Sequence, residues 1–514
     1  MNTELENKLW KAADQLRANA KFKSSEYFYP IMGLIFLKYA NEKFEETTKK
    51  LHEKYGKSTR LTKDHYLAQG AFYLPETSKY TYLLSIPSGE KLGLAINDAM
   101  RAIEADNPAL KDTLPKIYTK LENDFLQNFL RIFEELKLDK DDHIGRVYEY
   151  FLGEFASSEG KKGGEFFTPR SIVRLIVEIM EPYSGRIFDP ACGSGGMFVQ
   201  SADFVDNHRK NGKSSAELLS IYGQEKTEET VKLAKLNLAV HGLEGDIRSA
   251  NSYYVDEFKS VEFDYIMANP PFNVNGIDKE KIKDDKRYSL GLPSGDNGNY
   301  IWISMFLTKL GSSGKAGFVM ANSAADAGGS EKEIRRKIIE RGAVDCIVSV
   351  GSNFFYTVTL PCTLWFFDRG KAKIDSKTLF IDARNIFTQI DRAHREFTPA
   401  QIEFIGNIAR LAKGKSPEYA GGSKEITAEH FPDGRYSDIP GLCKLADIKE
   451  IEAQGWSLNP GRFVGVTARE DDGFDFKTRL EELNEELEIL NAQARSLEDT
   501  ISENVSKLLE GYNE

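Results

Sequence analysis

From about Tyr148 onward, short apolar runs alternate with segments in which apolar residues recur three and four apart. This is the rhythm of an α/β domain on a mainly parallel sheet. It predicts strands near Arg186–Phe188, Leu218–Tyr222, Asp246–Ser249, Phe263–Ala268, Ala316–Met320, Val344–Val350 and Thr363–Phe367. Helices are expected over Arg170–Met180, Glu228–His241 and Glu331–Arg341, and one more strand, Thr378–Asp382, either closes this domain or opens the next. Before Tyr148 the pattern is helical: Leu5, Leu9, Ala12, Ala13 and Leu16 share a face, and Ser24 or Ser25 can cap a helix carrying Ile31, Leu34, Ile35 and Tyr39. Leu92–Ile103 and Phe125–Leu138 follow, with a loop-rich stretch over Gly56–Lys91. After about residue 400 the rhythm fades until Phe476–Leu509, where Leu480, Leu483, Leu487, Leu490, Ala494, Leu497 and Ile501 form a coiled-coil seam. The narrow stripe and charged flanks favour a partner helix over packing on its own domain. The expected division is 1–147 helical, 148–400 α/β, 401–475 mixed and 476–514 a helix for partner contact.

Composition narrows the function. At 514 residues the chain is long for one core, since domains run about 100–200 residues. Its 68 basic and 79 acidic side chains leave a net charge of −11, which argues against gripping nucleic acid by a basic surface alone. A nucleic-acid substrate would need a local site or a partner supplying most of the grip. The opening Met1–Glu6 has no basic, apolar leader pattern, and the longest apolar stretch, near Ile31–Leu37, is too short to span a bilayer. A cytoplasmic location is expected, with no membrane contact. Cys192, Cys346, Cys362 and Cys443 are scattered and the seven histidines form no HxxxH cluster, so neither disulfides nor metal catalysis is indicated.

Three motifs carry chemistry. Phe188–Asp189–Pro190–Ala191–Cys192–Gly193–Ser194–Gly195–Gly196 directly follows a predicted strand; its glycines let backbone approach a ligand near an electropositive helix start. Tyr222–Gly223–Gln224–Glu225 ends the next strand, where a carboxylate can accept from both ribose hydroxyls of a nucleoside cofactor. Ala268–Asn269–Pro270–Pro271–Phe272 follows Phe263–Ala268. Its two prolines stiffen a turn that offers the Asn269 side-chain oxygen and the Pro270 carbonyl as acceptors, with Phe272 beside them. An amine conjugated to a ring is a poor nucleophile. Acceptors on its N–H groups steer the nitrogen towards tetrahedral geometry and stabilise the positive charge that grows on methyl transfer. The sulfonium of S-adenosyl-L-methionine already carries a good leaving group, so neither metal nor covalent intermediate is needed.

Asn269–Pro270–Pro271–Phe272 resembles the signature of amino-group methyltransferases that use S-adenosyl-L-methionine. Together with Glu165–Phe166–Phe167–Thr168–Pro169–Arg170 and the Asp189–Gly196 loop, the chain is similar to DNA adenine-N6 methyltransferases, and more closely to the modification (M) subunit of type I restriction–modification systems. The likeness extends to Leu9–Asp14, Gly33–Tyr39, Met320–Ser323, Thr363–Phe366 and Leu458–Arg462. It implies a Rossmann-like methyltransferase domain with a mostly parallel seven-stranded sheet, a helical N-terminal domain and a coiled-coil-like C-terminal helix. Glu165, Phe166, Phe167, Thr168, Pro169, Arg170, Gly193, Ser194, Gly195 and Glu225 would bind the cofactor, with Asp189 supporting the loop and Asn251 near its adenine. Asn269 and Pro270 would accept from the target amine, and Phe272, after Pro271, would stack on a flipped adenine. Cys192 is no nucleophile in such a site. The partners implied are double-stranded DNA, a specificity (S) subunit, a second M subunit and a restriction (R) subunit.

Alternatives stay open on the turn alone, because protein-glutamine N5 and rRNA guanine-N2 methyltransferases face the same amine problem. A non-catalytic scaffold would predict a broken cofactor loop or acceptor turn, and both are intact. The polar loop Asn273–Asn299 carries Lys279, Lys281, Lys283, Lys286 and Arg287 among Asp278, Glu280, Asp284 and Asp285. A DNA clamp and a solvated loop are equally consistent with it.

Overall fold

The computed structural model describes residues 24–87, 91–134, 148, 151–152, 168–208, 214–355, 361–371, 377–391 and 394–466. The helices expected over Leu5–Leu16 and Phe476–Leu509 lie outside them.

The N-terminal core is helical. α1 (Ser24–Tyr55), α2 (Leu92–Asp106) and α3 (Asn123–Glu134) bury Ile31, Leu34, Ile35, Ile96, Met100, Phe129 and Leu130 in one cluster. Gly33 lets α1 press against Pro115 and Tyr118, where a Cβ would collide. Tyr148, Phe151 and Leu152, expected to open the α/β domain, are buried in this helical cluster instead.

The α/β layer begins with α4 (Arg170–Met180). The strands β1 (Gly185–Asp189), β2 (Leu219–Glu225), β3 (Gly245–Ser249), β4 (Phe263–Ala268), β5 (Leu310–Ala321), β6 (Val344–Val350), β7 (Cys362–Asp368) and β8 (Thr378–Asp382) follow. A short hairpin of β9 (Thr388–Gln389) and β10 (Arg395–Glu396) stands apart, and β11 (Cys443–Ala446) returns to the sheet. The order is β11-β8-β6-β7-β5-β4-β1-β2-β3. β7 runs antiparallel between β5 and β6, β11 pairs antiparallel with β8, and the remaining pairings are parallel. The expected seven strands are present, and β8 and β11 extend them to nine. Thr378–Asp382 therefore belongs to this sheet, between β6 and β11, and does not open a new domain.

Helices cover both faces, which is why β6 is buried at every residue; its one charged side chain, Asp345, is paired with Lys371 and Lys413 at 2.8 and 2.7 Å. They are α4, α5 (Gly196–Asn207), α6 (Glu228–Val240), α7 (Asn299–Lys309), α8 (Gly329–Glu340) and α9 (Pro399–Ala412). α6 lies between two cores: Ala234 and Leu238 join the cluster with β1 and β2, while Leu236, Ala239 and Val240 join the N-terminal helices. The expected break at residue 400 has no counterpart in the packing. Phe404, Ile405 and Ile408 of α9 share a buried cluster with α4, and β11 completes the sheet edge.

α9 is also locked to α4 by charge. Arg410, with a side chain 4% exposed, reaches Glu178 and Glu181 at 2.7 Å each, and Lys415 adds a second bond to Glu181 at 2.6 Å. Burial alone would raise the Glu181 carboxyl, but hydrogen bonds from Lys415 and Arg410 outweigh it and hold the group below the usual range. No described helix is long and apolar enough to cross a membrane.

Candidate active site

β4, β1, β2 and β3 are adjacent and parallel, so the loops after them emerge along one edge of the sheet. Chain order reverses between β1 and β4, and ligands of open α/β sheets bind in the crevice at such a point.

After β1 the chain makes a tight turn. Gly195 sits at φ 80°, in the left-handed region that favours glycine, and caps α5. The Ala191 N–H donates to Asp189 Oδ1 at 2.9 Å and the Gly195 N–H to the Cys192 carbonyl at 2.8 Å. Burial pushes the Asp189 carboxyl and the Cys192 thiol well above their ordinary values, so Cys192 stays a protonated, inert thiol. Asn237, inside α6, donates to the Ser194 carbonyl at 2.8 Å and braces the turn from behind. Sequence reasoning missed that brace; an amide inside the apolar run Leu236–Asn237–Leu238 was the available signal.

Glu225 comes to the same turn. Its Oε2 accepts from the Gly193 N–H at 3.1 Å and its Oε1 from the Lys226 N–H at 2.7 Å. Burial raises this carboxyl despite the N–H groups around it. The Thr227 N–H also bonds to this carboxyl, and its two oxygens, with about four lone-pair sites between them, retain room for a hydroxyl donor. Asn251 follows β3, where the Ala250 N–H donates to the Glu225 carbonyl at 2.8 Å. Its Oδ1 accepts from the Tyr253 N–H at 3.1 Å and closes its own turn.

At the end of β4, Pro270 is buried, Pro271 exposed and Phe272 half-buried. Asn269 Nδ2 donates to Thr168 Oγ1 at 3.0 Å, across 101 residues of chain. That bond fixes the amide, and Asn269 Oδ1 is left buried with no hydrogen-bond partner among the described residues. The Oδ1 of Asn322, just after β5 on the neighbouring strand, is buried in the same condition. A buried acceptor without a donor is costly and marks a place for a ligand N–H.

The structure thus brings Thr168, Asp189, Gly193, Ser194, Gly195, Glu225, Asn251 and the Asn269–Phe272 turn to one edge. Pro169 caps α4, and the Arg170 guanidinium lies 3.7 Å from Asp203 of α5. Glu165, Phe166 and Phe167 lie outside the described residues. The Leu458–Arg462 motif proves to be a clasp: Ser457 Oγ, Asn459 Nδ2 and Arg462 Nε all reach the Asp326 carboxylate, at 2.6, 3.0 and 3.1 Å.

Sheet order, with the loops after β1, β2, β3 and β4 gathered where chain order reverses, defines a Rossmann-like α/β domain. Comparison with known proteins makes this specific. The family model for N-6 DNA methylase matches residues 139–472, and that for the HsdM N-terminal domain matches 5–133. The type I restriction enzyme MjaIX methylase subunit of Methanocaldococcus jannaschii is 38% identical over 98% of this chain and 91% of that protein. The HindI methylase subunit of Haemophilus influenzae is 37% identical over 85% of this chain and 98% of its own length. In structure, the type I restriction-modification methyltransferase subunit from Streptococcus thermophilus aligns with a TM-score of 0.70, at 19% identity, over 90% of this chain and 99% of that one. The chain belongs to the N-6 DNA methylase family, among the type I restriction enzyme methylase subunits. The glutamine and guanine alternatives find no support in these relatives.

Proposed function

We propose that this chain transfers a methyl group from S-adenosyl-L-methionine to the N6 amine of an adenine flipped out of double-stranded DNA, as the modification subunit of a type I restriction–modification complex. The observation that carries the reading is Asn269 Oδ1, buried with no hydrogen-bond partner among the described residues, on an amide that Thr168 fixes next to the strand end. The residues present fit the cofactor. Gly193–Gly195 would lie beneath it, Glu225 would take its ribose, Asn251 would face its adenine, and Glu165–Arg170 would cover its methionine end. S-adenosyl-L-methionine supplies an electrophilic methyl on a positively charged sulfur. Asn269 Oδ1 and the Pro270 carbonyl accept from the adenine amine, orient its lone pair and stabilise the positive charge that grows on nitrogen. Phe272 stacks on the flipped base. With methyl-labelled cofactor and duplex DNA, label recovered as N6-methyladenine is the expected result, and label in other bases or in protein contradicts the reading.

The acidic balance of the chain fits a division of labour in which an S subunit reads the sequence, two M subunits flank it and an R subunit joins for cleavage. The heptads of residues 476–514 are the proposed contact to S. Deleting Thr478–Glu514 is expected to abolish co-purification with S and to leave cofactor binding intact; undiminished co-purification rejects that contact.

A further inference from the structure

β4 and β5 run side by side and parallel, with Ala268 opposite Phe318, and β5 continues to Ala321. The chain leaves both strands at the same edge of the sheet, so the acceptor turn and the turn that opens at Asn322 are neighbours. The loop after Phe272 joins them. Asn299 Nδ2 donates to Asn273 Oδ1 at 2.9 Å, which brings the start of α7 back to the residue after Phe272. The next residue of α7, Tyr300, donates from its hydroxyl to the Ala324 carbonyl at 2.6 Å. The Ser294 N–H donates to Ser330 Oγ, at the start of α8, at 2.7 Å. Arg287 holds the middle of the loop by donating from Nη1 to the Ser252 carbonyl at 2.7 Å. Two of the lysines that suggested a DNA clamp are paired within the loop, Lys281 with Asp278 and Lys283 with Glu280.

The Asn322 turn is fixed from outside. Arg335, 2% exposed, donates from Nη1 to the Ala327 carbonyl at 2.8 Å and to the Tyr300 hydroxyl at 2.9 Å, and from Nε to the Trp456 carbonyl at 2.6 Å. The Leu458 N–H donates to the Ala325 carbonyl at 3.0 Å. Asp326 is the carboxylate clasped by Ser457, Asn459 and Arg462. The Asn322 carbonyl itself accepts from the Ala325 N–H at 3.1 Å. In a turn held this firmly, Asn322 Oδ1 is still buried with no hydrogen-bond partner among the described residues.

We propose that Asn322 is a further base-contacting residue, whose side-chain amide hydrogen-bonds a ring nitrogen beside the amine of the flipped adenine. The inference rests on the reading that the Asn269–Phe272 turn receives that base. Asn269 Oδ1 and the Pro270 carbonyl take the amine's two N–H groups. What the base has left to offer beside the amine is N1 on one flank and N7 on the other, both acceptors. An amide carries a donor as well as an acceptor. Because Asn322 Oδ1 holds no donor among the described residues, turning the amide over breaks no bond at that atom and places Nδ2 there instead. The contact fixes the base in its own plane, with the amine directed at the acceptor turn.

The test measures kcat/KM for DNA, using the full chain assembled with its S subunit and duplexes whose target base is adenine, 7-deazaadenine or 1-deazaadenine. Asn322→Ala is expected to lose about 10–100-fold on adenine, the scale for removing one partner of a buried hydrogen bond. The wild type is expected to prefer adenine over one of the two analogues by that same factor more than Asn322→Ala does, and the analogue concerned identifies the nitrogen. A merely structural role would slow all three substrates alike. Asn322→Asp keeps the size and removes the NH2, and it is expected to behave as Asn322→Ala does, so a folding defect in one variant does not decide the matter. Near-wild-type turnover of adenine by the variants, an unchanged preference between the substrates, or a wild type that methylates both analogues as well as adenine overturns the proposal. If the wild type methylates adenine and any of these results is found, this inference alone fails; if it does not methylate the duplex, the reading of the site fails with it.

Discussion

Asn269→Ala is expected to slow methyl transfer by about 10²–10³-fold, the usual scale for removing one preorganised group aimed at developing charge, with cofactor affinity near wild type. The reason is local. Asn269 Oδ1 is buried with no hydrogen-bond partner among the described residues, and the bond from its Nδ2 to Thr168 fixes the amide, so the acceptor is preorganised. The Pro270 carbonyl remains in the variant, and so does the glycine-rich turn with Glu225, which hydrogen-bonds to Gly193 and does not touch Asn269. Thr168→Val is expected to act in the same direction and less severely, because it removes only the bond that fixes the amide. Single-turnover rates with saturating cofactor, alongside calorimetric affinities, separate the two steps. Near-wild-type turnover by Asn269→Ala would remove the acceptor role.

The largest expected effect on stability lies away from the chemistry. Arg410→Met leaves Glu178 and Glu181 without the guanidinium that joins them, and Lys415 reaches only Glu181. Breaking a buried pair by deleting one partner costs about 3–5 kcal/mol, which a urea or guanidinium melt at neutral pH resolves. The pH dependence has a definite sign. Glu181 is held below the usual carboxylate range in the fold, so its contribution is present above the unfolded-state pKa and is lost as pH falls through the lowered folded value. The gap between wild type and Arg410→Met should therefore be widest near neutral pH and narrow in acid. A gap that widens on acidification, or a loss below about 1 kcal/mol of the kind typical of exposed pairs, would mean that α4 and α9 are held by apolar packing alone.

Much of the site was legible because its residues serve local backbone needs. Phe263–Ala268 and Val344–Val350 are strands between the bounds that their apolar runs predict, as Arg170–Met180 is a helix. The glycine turn and the Asn-Pro-Pro-aromatic turn announce themselves through residue types with few other uses at strand ends. α7 was hidden by its own burial. Nearly all of its residues are inside, so no polar stripe gives Asn299–Lys309 a helical period. α9 and β11 follow the fading of the α/β rhythm, and only the pairing of β11 with β8 shows that they belong to the sheet. The Thr168–Asn269 bond and the hold of Arg287 on Ser252 join residues 101 and 35 positions apart, and nothing in local pattern encodes such meetings.

The most direct measurement is nucleoside mass spectrometry of genomic DNA from methylation-deficient cells that express this chain with its S subunit, without it, or with it as Asn269→Ala. N6-methyladenine in the first culture alone is the predicted result. No methyladenine in any culture despite a soluble complex, or undiminished methyladenine with Asn269→Ala, would contradict the account.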